Sequence, residues 1–172
     1  KQNSSVNVMR RLPFVLRLLS LALLIVAIAR PQTRSNEERV EGEGIDIVLC
    51  MDVSGSMLAE DFSPNRMEAM KKVAADFVDA RKTDRIGLVI FSGEPFTQCP
   101  ITTDHAALKS QIYAVRSGIL QDGTAIGSGL ATSVERLKKS KSKSKIIILL
   151  TDGENNGGMI PPNTAKEIAK AY

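Results

Sequence analysis

The chain has 172 residues, which suits one domain of ordinary size with a short additional segment. Hydrophobic residues make up 43% of it, enough for a core, but only 4% are aromatic, which argues against an aromatic cage or a base-stacking platform. Residues 1–43 hold seven Lys or Arg against four Glu, whereas residues 44–172 hold sixteen against fifteen acidic residues, a balance that excludes a general nucleic-acid-binding surface.

The first predicted element is a hydrophobic helix at residues 12–29, with the sequence LPFVLRLLSLALLIVAIA. Arg17 interrupts it, so it reaches the roughly 20 apolar residues of a membrane span only if Arg17 lies near an interface. Three interpretations remain open: a membrane-spanning helix, a cleaved signal peptide ending in the small-x-small triplet 27–29, and a helix buried in protein. Length and flanking charges favour the membrane helix, and we assign residues 1–30 to this anchor.

A predicted linker follows the anchor. Residues 31–44 are polar, of mixed charge, and contain Pro and Gly. Basic residues flank the hydrophobic stretch on both sides, so the positive-inside rule alone gives almost a tie between the two orientations.

Strands and helices alternate in the remaining head, residues 45–172. Apolar runs within 45–51, which is interrupted only by Asp46, and within 85–91 and 145–151 are typical of strands that are buried on both faces of a parallel sheet. The segment PFTQC at 95–99 suits a short edge strand, because an edge tolerates Pro. The pattern predicts an α/β fold with a doubly wound, mostly parallel sheet.

Four helices are predicted around this sheet. The first begins with Ser63 as its cap and Pro64 in its first turn, the second begins at Asp104, and the fourth is capped by Asn163 or Thr164. The apolar positions expected to face the core in the first three are Met67, Met70, Val73, Ala74, Phe77 and Val78, then Leu108, Ile112 and Val115, then Ile126, Leu130, Val134 and Leu137.

Polar side chains follow the predicted strands at one edge of the sheet. Asp52, Ser54 and Ser56 come directly after the first strand in the run DVSGS, and Asp152 follows the last strand in the run LLTDG. Thr124 lies in the loop DGTAIGSGL that opens a helix. Because ligands of open α/β sheets bind at the carboxyl ends of the strands, we expect these five side chains to converge.

The five side chains supply two carboxylates and three hydroxyl groups, all of them hard oxygen donors. Such donors favour Mg²⁺, Mn²⁺ or Ca²⁺ over zinc or copper. Two carboxylates nearly neutralise a divalent ion. If some of the donors bind through water, the ion keeps an open coordination position that a carboxylate from a partner protein can fill. The alternative for the five donors is that they are only turn formers. Asp61 and Glu94 are further acids near strand ends that can form a rim around the site, but the plainer and preferred interpretation of both is a solvated loop acid.

Four segments resemble one known family. DVSGS at 52–56, DGTAIGSGL at 122–130 and LLTDG at 149–153 resemble the metal-ion-dependent adhesion site (MIDAS) of von Willebrand factor A (VWA) domains. FSGEPFTQCPIT at 91–102 resembles the corresponding stretch of bacterial Bat, or aerotolerance, membrane proteins, in which a membrane helix precedes the VWA domain. The resemblance covers most of 44–172.

The resemblance implies a Rossmann-like VWA fold and a divalent ion held, directly or through water, by the counterparts of the family ligands: Asp52, Ser54, Ser56, Thr124 and Asp152. It also implies protein–protein interaction, with other Bat-type membrane proteins and a MoxR-type AAA+ ATPase system as partners. The implied location is the bacterial cell membrane, with the head outside the cytoplasm. The family fold continues through further strands and a final helix, so we expect this sheet to lack its last strands.

Three functional hypotheses follow. The first is a membrane-tethered VWA module that is not an enzyme and uses its metal for protein–protein interaction, in a complex linked to stress or aerotolerance. The second is a Mg²⁺-dependent phosphoryl-transfer enzyme, since carboxylates at strand ends suit that chemistry. The third is a structural subunit whose metal only braces three loops.

The remaining candidate residues receive plainer interpretations. Cys50 and Cys99 lie in no CxxC or Cys/His cluster, so we expect buried thiols, with a disulfide bond as the alternative. His105, the only histidine, is expected to be solvated or to cap a helix. The Lys/Ser run at 138–145 is expected to be a solvated helix end on the side of the sheet opposite the metal, with binding of anionic lipid as the alternative.

Overall fold

The computed structural model describes three ranges of the chain: 3–29, 44–153 and 155–171. The chain falls into two compact units, Lys1–Arg39 and Val40–Tyr172. Except for Gly44, the predicted linker at 31–44 lies outside the described residues.

The first unit contains one long helix, α1, which spans Asn3–Ala29. Its stretch Leu12–Ala29 is exposed, and by length and composition it qualifies as a membrane span. At 1.5 Å per residue these 18 residues extend about 27 Å, close to the thickness of about 30 Å of a bilayer's hydrocarbon core. The predicted N-terminal hydrophobic helix is therefore confirmed, while its insertion into a membrane stays a prediction.

A mixed four-stranded sheet forms the centre of the described part of the head. Its strands are β1 (Asp46–Asp52), β2 (Arg85–Phe91), β3 (Pro95–Thr102) and β4 (Lys145–Leu150). The spatial order is β3-β2-β1-β4. Strand β1 pairs in parallel with both β2 and β4, whereas β3 is antiparallel to β2. The predicted α/β fold with a mostly parallel sheet is confirmed.

Strand β1 is buried along its whole length because helices cover both faces of the sheet. Ile47, Leu49 and Met51 point into one apolar cluster, and the alternating residues Val48 and Cys50 point into another. This period of two is the geometry of a strand, and it explains why the run is apolar at every position between its two terminal aspartates.

In the described part of the head, four helices surround the sheet: α2 (Arg66–Asp79), α3 (His105–Ala114), α4 (Ile126–Lys138) and α5 (Pro162–Lys170). Helices α2 and α3 contribute to the cluster that contains Ile47, and α4 contributes to the cluster that contains Val48. Helix α5 packs on α4. A Cβ atom at Gly129 of α4 would lie 2.9 Å from the ring of Phe91, so the absence of a side chain lets α4 approach the sheet closely.

The predicted start of α2 is wrong by two residues. Its cap is Asn65, whose side-chain oxygen accepts a hydrogen bond of 2.9 Å from the backbone N–H of Glu68, rather than Ser63. An Asn cap satisfies one of the free N–H groups of the first turn as well as a Ser cap does. The predicted apolar face is otherwise correct, except that Val73 is 59% exposed.

Two other boundaries also differ from the predictions. Helix α5 begins at Pro162, so Asn163 and Thr164 lie inside its first turn rather than capping it. Proline suits this position because its ring fixes φ and the missing N–H would have no helical partner. Strand β3 continues past the predicted 95–99 to Thr102, because a strand at the edge of a sheet tolerates a second proline.

The two cysteines are free and buried, as expected, and they do not form the alternative disulfide bond. They belong to the two different apolar clusters, Cys50 on the α4 side of the sheet and Cys99 on the other. Burial raises the pKa of Cys50 to about 12, so its thiol stays protonated at physiological pH. His105 is half-buried, and its Nε2 lies 2.9 Å from the carbonyl oxygen of Asp84.

Candidate metal centre

Two aspartates leave neighbouring parallel strands at the same edge of the sheet. Asp52 is the last residue of β1, and Asp152 follows the end of β4 by two residues. The register of the two strands places Met51 beside Leu150. Because both strands run in the same direction, their carboxyl ends bring the two carboxylates to one place.

The side chain of Asp52 is fixed by hydrogen bonds to both of its oxygens. The buried carboxylate accepts a bond of 2.9 Å from the backbone N–H of Ser54 at Oδ1, and a bond of 2.6 Å from the hydroxyl of Thr151 at Oδ2. A 3-10 turn at Gly55–Leu58 follows, and it brings the hydroxyl oxygens of Ser54 and Ser56 within 3.0 Å of each other. These hydrogen bonds therefore hold the loop after β1 in place around the carboxylate of Asp52.

The carboxylate of Asp152 joins this loop to the loop after β4. Its Oδ1 accepts a hydrogen bond of 3.1 Å from the hydroxyl of Ser56, and its Oδ2 accepts one from the guanidinium group of Arg66. The side chain of Asp152 is only 16% exposed. Three of the predicted oxygen-bearing side chains, those of Ser54, Ser56 and Asp152, thus form a continuous chain of hydrogen bonds.

Thr124 lies one loop away, just before α4, and is buried. Its backbone N–H donates to Oδ1 of Asn156 at 2.9 Å, and its carbonyl accepts from the N–H of Asn156 at 3.2 Å. The N–H of Ala125 also donates to the carbonyl of Ser92 at the end of β2, at 2.7 Å. These bonds fix the loop between the ends of β2 and β4.

The hydroxyl group of Thr124 and the carboxylate of Asp52 both lie near Gly153. A Cβ atom built on Gly153 would lie 3.8 Å from the hydroxyl oxygen of Thr124 and 3.9 Å from Oδ2 of Asp52. Both oxygens therefore border the volume that a side chain at position 153 would occupy. The structure brings all five predicted residues to one end of the sheet.

The donors fit a hard divalent cation. They are two carboxylates and three hydroxyls, with neither sulfur nor imidazole. The missing side chain of Gly153 leaves room next to the oxygens of Thr124 and Asp52. Across the ranges that the structure describes, no group of three or more His, Cys, Asp or Glu side chains is suitably placed for a metal. An ion at this edge would consequently depend on the hydroxyl oxygens as well as on the carboxylates.

Sequence reasoning missed three residues that hold the candidate ligands. Thr151 donates to Asp52, Asn156 holds the loop of Thr124, and Arg66 donates to Asp152. Two of them lie within four residues of a candidate ligand, so a search of the neighbouring polar residues could have found them. Arg66 is 86 residues away from its partner and gave no such signal.

The two predicted rim residues have different surroundings. Asp61 forms an ion pair with Arg66, and hydrogen bonds from this guanidinium hold the pKa of Asp61 below its usual range. Arg66 therefore lies between Asp61 and the candidate ligand Asp152. Glu94 is exposed in the turn between β2 and β3, where its backbone carbonyl accepts a bond of 3.1 Å from the N–H of Ser92.

Solved structures of similar proteins include two from Bacteroides species. An aerotolerance-related membrane protein from Bacteroides fragilis is 31% identical with a TM-score of 0.69, over 74% of this chain and 63% of that one. The conserved hypothetical protein BatB from Bacteroides thetaiotaomicron is 35% identical with a TM-score of 0.66, over 74% of this chain and 60% of that one.

A third similar structure contains a bound metal. It is proximal thread matrix protein 1 from the mussel byssus with a zinc-occupied MIDAS motif, 28% identical with a TM-score of 0.62, over 74% of this chain and 33% of that one. The chain spans about half the length of the curated relatives it matches. Residues 47–154 match the family model of the von Willebrand factor type A domain. The chain therefore belongs to the von Willebrand factor type A domain family.

Proposed function

We propose that the head is a metal-dependent protein-interaction module and not an enzyme. The observation that carries this proposal is the convergence of the oxygens of the two loops after β1 and β4 with Thr124 beside Gly153. In the proposed complex, the residues that bind the ion are Asp52, Ser54, Ser56, Thr124 and Asp152. A carboxylate of the partner protein completes the coordination of the ion.

The proposed ion is Mg²⁺, with Mn²⁺ or Ca²⁺ as substitutes. Carboxylate and hydroxyl oxygens are the ligands that these ions prefer, and Mg²⁺ commonly retains several waters next to one or two carboxylates. The zinc in the mussel relative supports a divalent ion at this motif. An ion of this kind binds, orients and polarises a partner's carboxylate group.

Exposed apolar side chains on the surrounding loops support a protein as the partner. Leu58 lies in the 3-10 turn that carries Ser56, and Phe62 lies four residues before Arg66. Leu58 is 53% exposed and Phe62 58%. Met159, on the loop after Asn156, is 97% exposed. Aromatic and Met side chains are enriched at the cores of protein interfaces.

The arrangement around Asp52 argues against phosphoryl transfer. The loop DVSGS at 52–56 contains no second aspartate to assist an attack by Asp52 on a phosphorus atom. His105 lies at the start of α3, and its ring contacts the residue before β2, at the opposite end of the strand from Phe91 and the candidate site. His105 is therefore not placed to act as a general base next to the proposed metal.

We further propose that residues 12–29 insert into the bacterial cell membrane and that the head lies outside the cytoplasm. Other Bat-type membrane proteins and a MoxR-type AAA+ ATPase system are the proposed partners, in a complex linked to stress or aerotolerance. The membrane relatives and the apolar exposed helix support this location. Extraction of membranes at alkaline pH tests whether residues 12–29 insert. An inserted chain stays with the lipid, whereas a cleaved or peripheral chain is released.

The test of the interaction is affinity capture from membranes with Mg²⁺ or with chelator, using wild type and Asp52→Ala. The control is Asp79→Asn, which removes an exposed carboxylate that pairs with Lys109. We expect a partner that is captured only with Mg²⁺, by wild type and the control but not by Asp52→Ala. Capture that survives in chelator would contradict the proposal.

The same proteins distinguish the two alternatives. Mg²⁺-dependent turnover of a panel of phosphoesters, lost in Asp52→Ala, would establish a phosphoryl-transfer enzyme. A metal that raises the melting temperature of wild type without supporting any capture would indicate a bracing role.

A further inference from the structure

The guanidinium group of Arg66 lies between two carboxylates. Its Nε donates to both oxygens of Asp61, at 2.7 and 2.9 Å, and its Nη2 donates to Oδ2 of Asp61 at 2.7 Å. Its Nη1 donates to Oδ2 of Asp152. A permanent positive charge therefore contacts one of the five candidate metal ligands directly.

The position of Arg66 is fixed at both ends of its side chain. Arg66 is the first residue of α2, whose cap Asn65 is hydrogen-bonded to the first turn. Its backbone N–H donates to the carbonyl of Ala59 at 3.0 Å. At the other end, the bonds to Asp61 orient the planar group, and they raise the pKa of Arg66 further together with the bond to Asp152. The cation is thus tethered next to the site.

A metal at the site would share Asp152 with this cation. Oδ1 of Asp152 faces the hydroxyl of Ser56 and Oδ2 faces Arg66. A charge of +1 and a charge of +2 that contact one carboxylate repel each other. The negative charge of Asp61 cancels part of the guanidinium charge, and so reduces the repulsion.

We propose that Arg66 is a tethered counter-ion that competes with the metal for Asp152 and sets the metal affinity of the site, and that Asp61 moderates this competition. The inference rests on the proposed metal-binding function. It assigns opposite effects to the two members of one ion pair: Arg66 weakens metal binding, and Asp61 strengthens it.

Opposite effects distinguish this role from a structural one. If the pair only held the loop before α2 in place, loss of either partner would weaken metal binding. If Arg66 mainly oriented Asp152, its loss would also weaken binding. Under the proposal, Arg66→Gln binds Mg²⁺ about tenfold more tightly than wild type, and Asp61→Asn binds it more weakly. Arg66→Lys, which keeps the charge, stays closer to wild type than Arg66→Gln does.

The experiment is calorimetric titration of the detergent-solubilised chain with MgCl₂. The double variant Arg66→Gln/Asp61→Asn is expected to resemble Arg66→Gln, because Asp61 acts through Arg66. The control is Asp79→Asn, which removes another exposed carboxylate with a cationic partner, Lys109, at 2.6 Å. Its affinity should equal that of wild type. An Arg66→Gln variant that binds Mg²⁺ as weakly as wild type, or more weakly, would overturn the inference.

Melting curves in chelator provide a second measurement that needs no bound metal. Arg66→Gln should melt at a lower temperature than wild type, because Asp61 and Asp152 lose their counter-charge, and MgCl₂ should raise its melting temperature more than that of wild type. Equal melting temperatures in chelator would contradict the proposed counter-ion. If wild type binds no metal, the proposed function fails and this inference with it. If wild type binds Mg²⁺ and Arg66→Gln does not bind it more tightly, only this inference fails.

Discussion

The hydroxyl of Ser56 donates a hydrogen bond of 3.1 Å to Oδ1 of Asp152, although the two residues are 96 positions apart in the chain. The bond connects the loop after β1 with the loop after β4. It exists because β1 and β4 are adjacent and parallel, so that their carboxyl ends meet at one edge of the sheet. Two separate sequence motifs thereby become one site.

The space that a side chain at Gly153 would occupy gives the first prediction. In Gly153→Ala, the new methyl group would lie 3.4 Å from Cγ2 of Thr124, an ordinary contact, and would fill space next to the oxygens of Thr124 and Asp52. We expect Mg²⁺ affinity to fall by about tenfold or more while the fold is preserved. Calorimetric titration and a melting curve check the two parts. Unchanged affinity would show that the ion lies elsewhere.

The hydroxyl of Thr151 gives the second prediction. Thr151→Val keeps the shape of the side chain but removes the donor that lies 2.6 Å from the buried Oδ2 of Asp52. A buried acceptor that loses its partner costs about 1–3 kcal/mol, so the free energy of unfolding should fall by that amount. Urea unfolding measures it, with Thr132→Val on α4 as the matched control. An equal effect in both variants would contradict the assigned role of Thr151.

Close packing of α4 against the loop before α5 gives the third prediction. Replacing Gly by Ala inside a helix normally stabilises it by up to about 1 kcal/mol. In Gly127→Ala, however, the methyl group would overlap the backbone carbonyl of Ile160, and overpacking of this kind costs about 1–3 kcal/mol. We expect a net loss of stability in urea unfolding. Gly153→Ala is the control, and a Gly127→Ala variant as stable as that control would contradict the described packing.

The ion pair at the amino end of β1 gives the fourth prediction. Burial would raise the pKa of Asp46, but hydrogen bonds from Arg85, at 2.8 and 2.5 Å, and from Ser140 and Ser142 outweigh burial and hold the pKa below its usual value. A lowered folded-state pKa means that the stabilisation is present above the pKa of an unfolded aspartate, about 4, and is lost as the pH falls through the folded-state value.

Urea unfolding between pH 3 and pH 7 measures this dependence. Asp46→Asn should be less stable than wild type at neutral pH and should lose less stability on acidification. The same loss in both proteins would show that Asp46 does not contribute to the acid sensitivity.

The strands and the candidate ligands were the most predictable features of the sequence. The runs around Leu49, Leu88 and Ile148 are apolar because both faces of the sheet are covered, and such runs are hard to mistake. Asp52 ends the first of these strands and Asp152 lies two residues after the last, so their convergence followed from the parallel pairing of β1 and β4. Local sequence and global topology agreed at these positions.

The helix starts and the residues that hold the site were less predictable. Ser63 and Asn65 are both good caps, and the tertiary contacts of Arg66 with Ala59 and Asp61 accompany the helix start at Asn65. The contact of Arg66 with Asp152 depends on the tertiary position of α2, which the periodicity of α2 does not specify. Sequence patterns predicted which residues bear the donors, and packing decided what surrounds them.

Titration of the chain with MgCl₂ tests the central claim most directly. Wild type and the control Asp79→Asn should each bind one ion per chain, and Asp52→Ala should bind none at the same concentrations while keeping its helical circular dichroism spectrum. Binding of the ion by Asp52→Ala with the affinity of wild type, or no binding of Mg²⁺, Mn²⁺ or Ca²⁺ by wild type, would contradict the account.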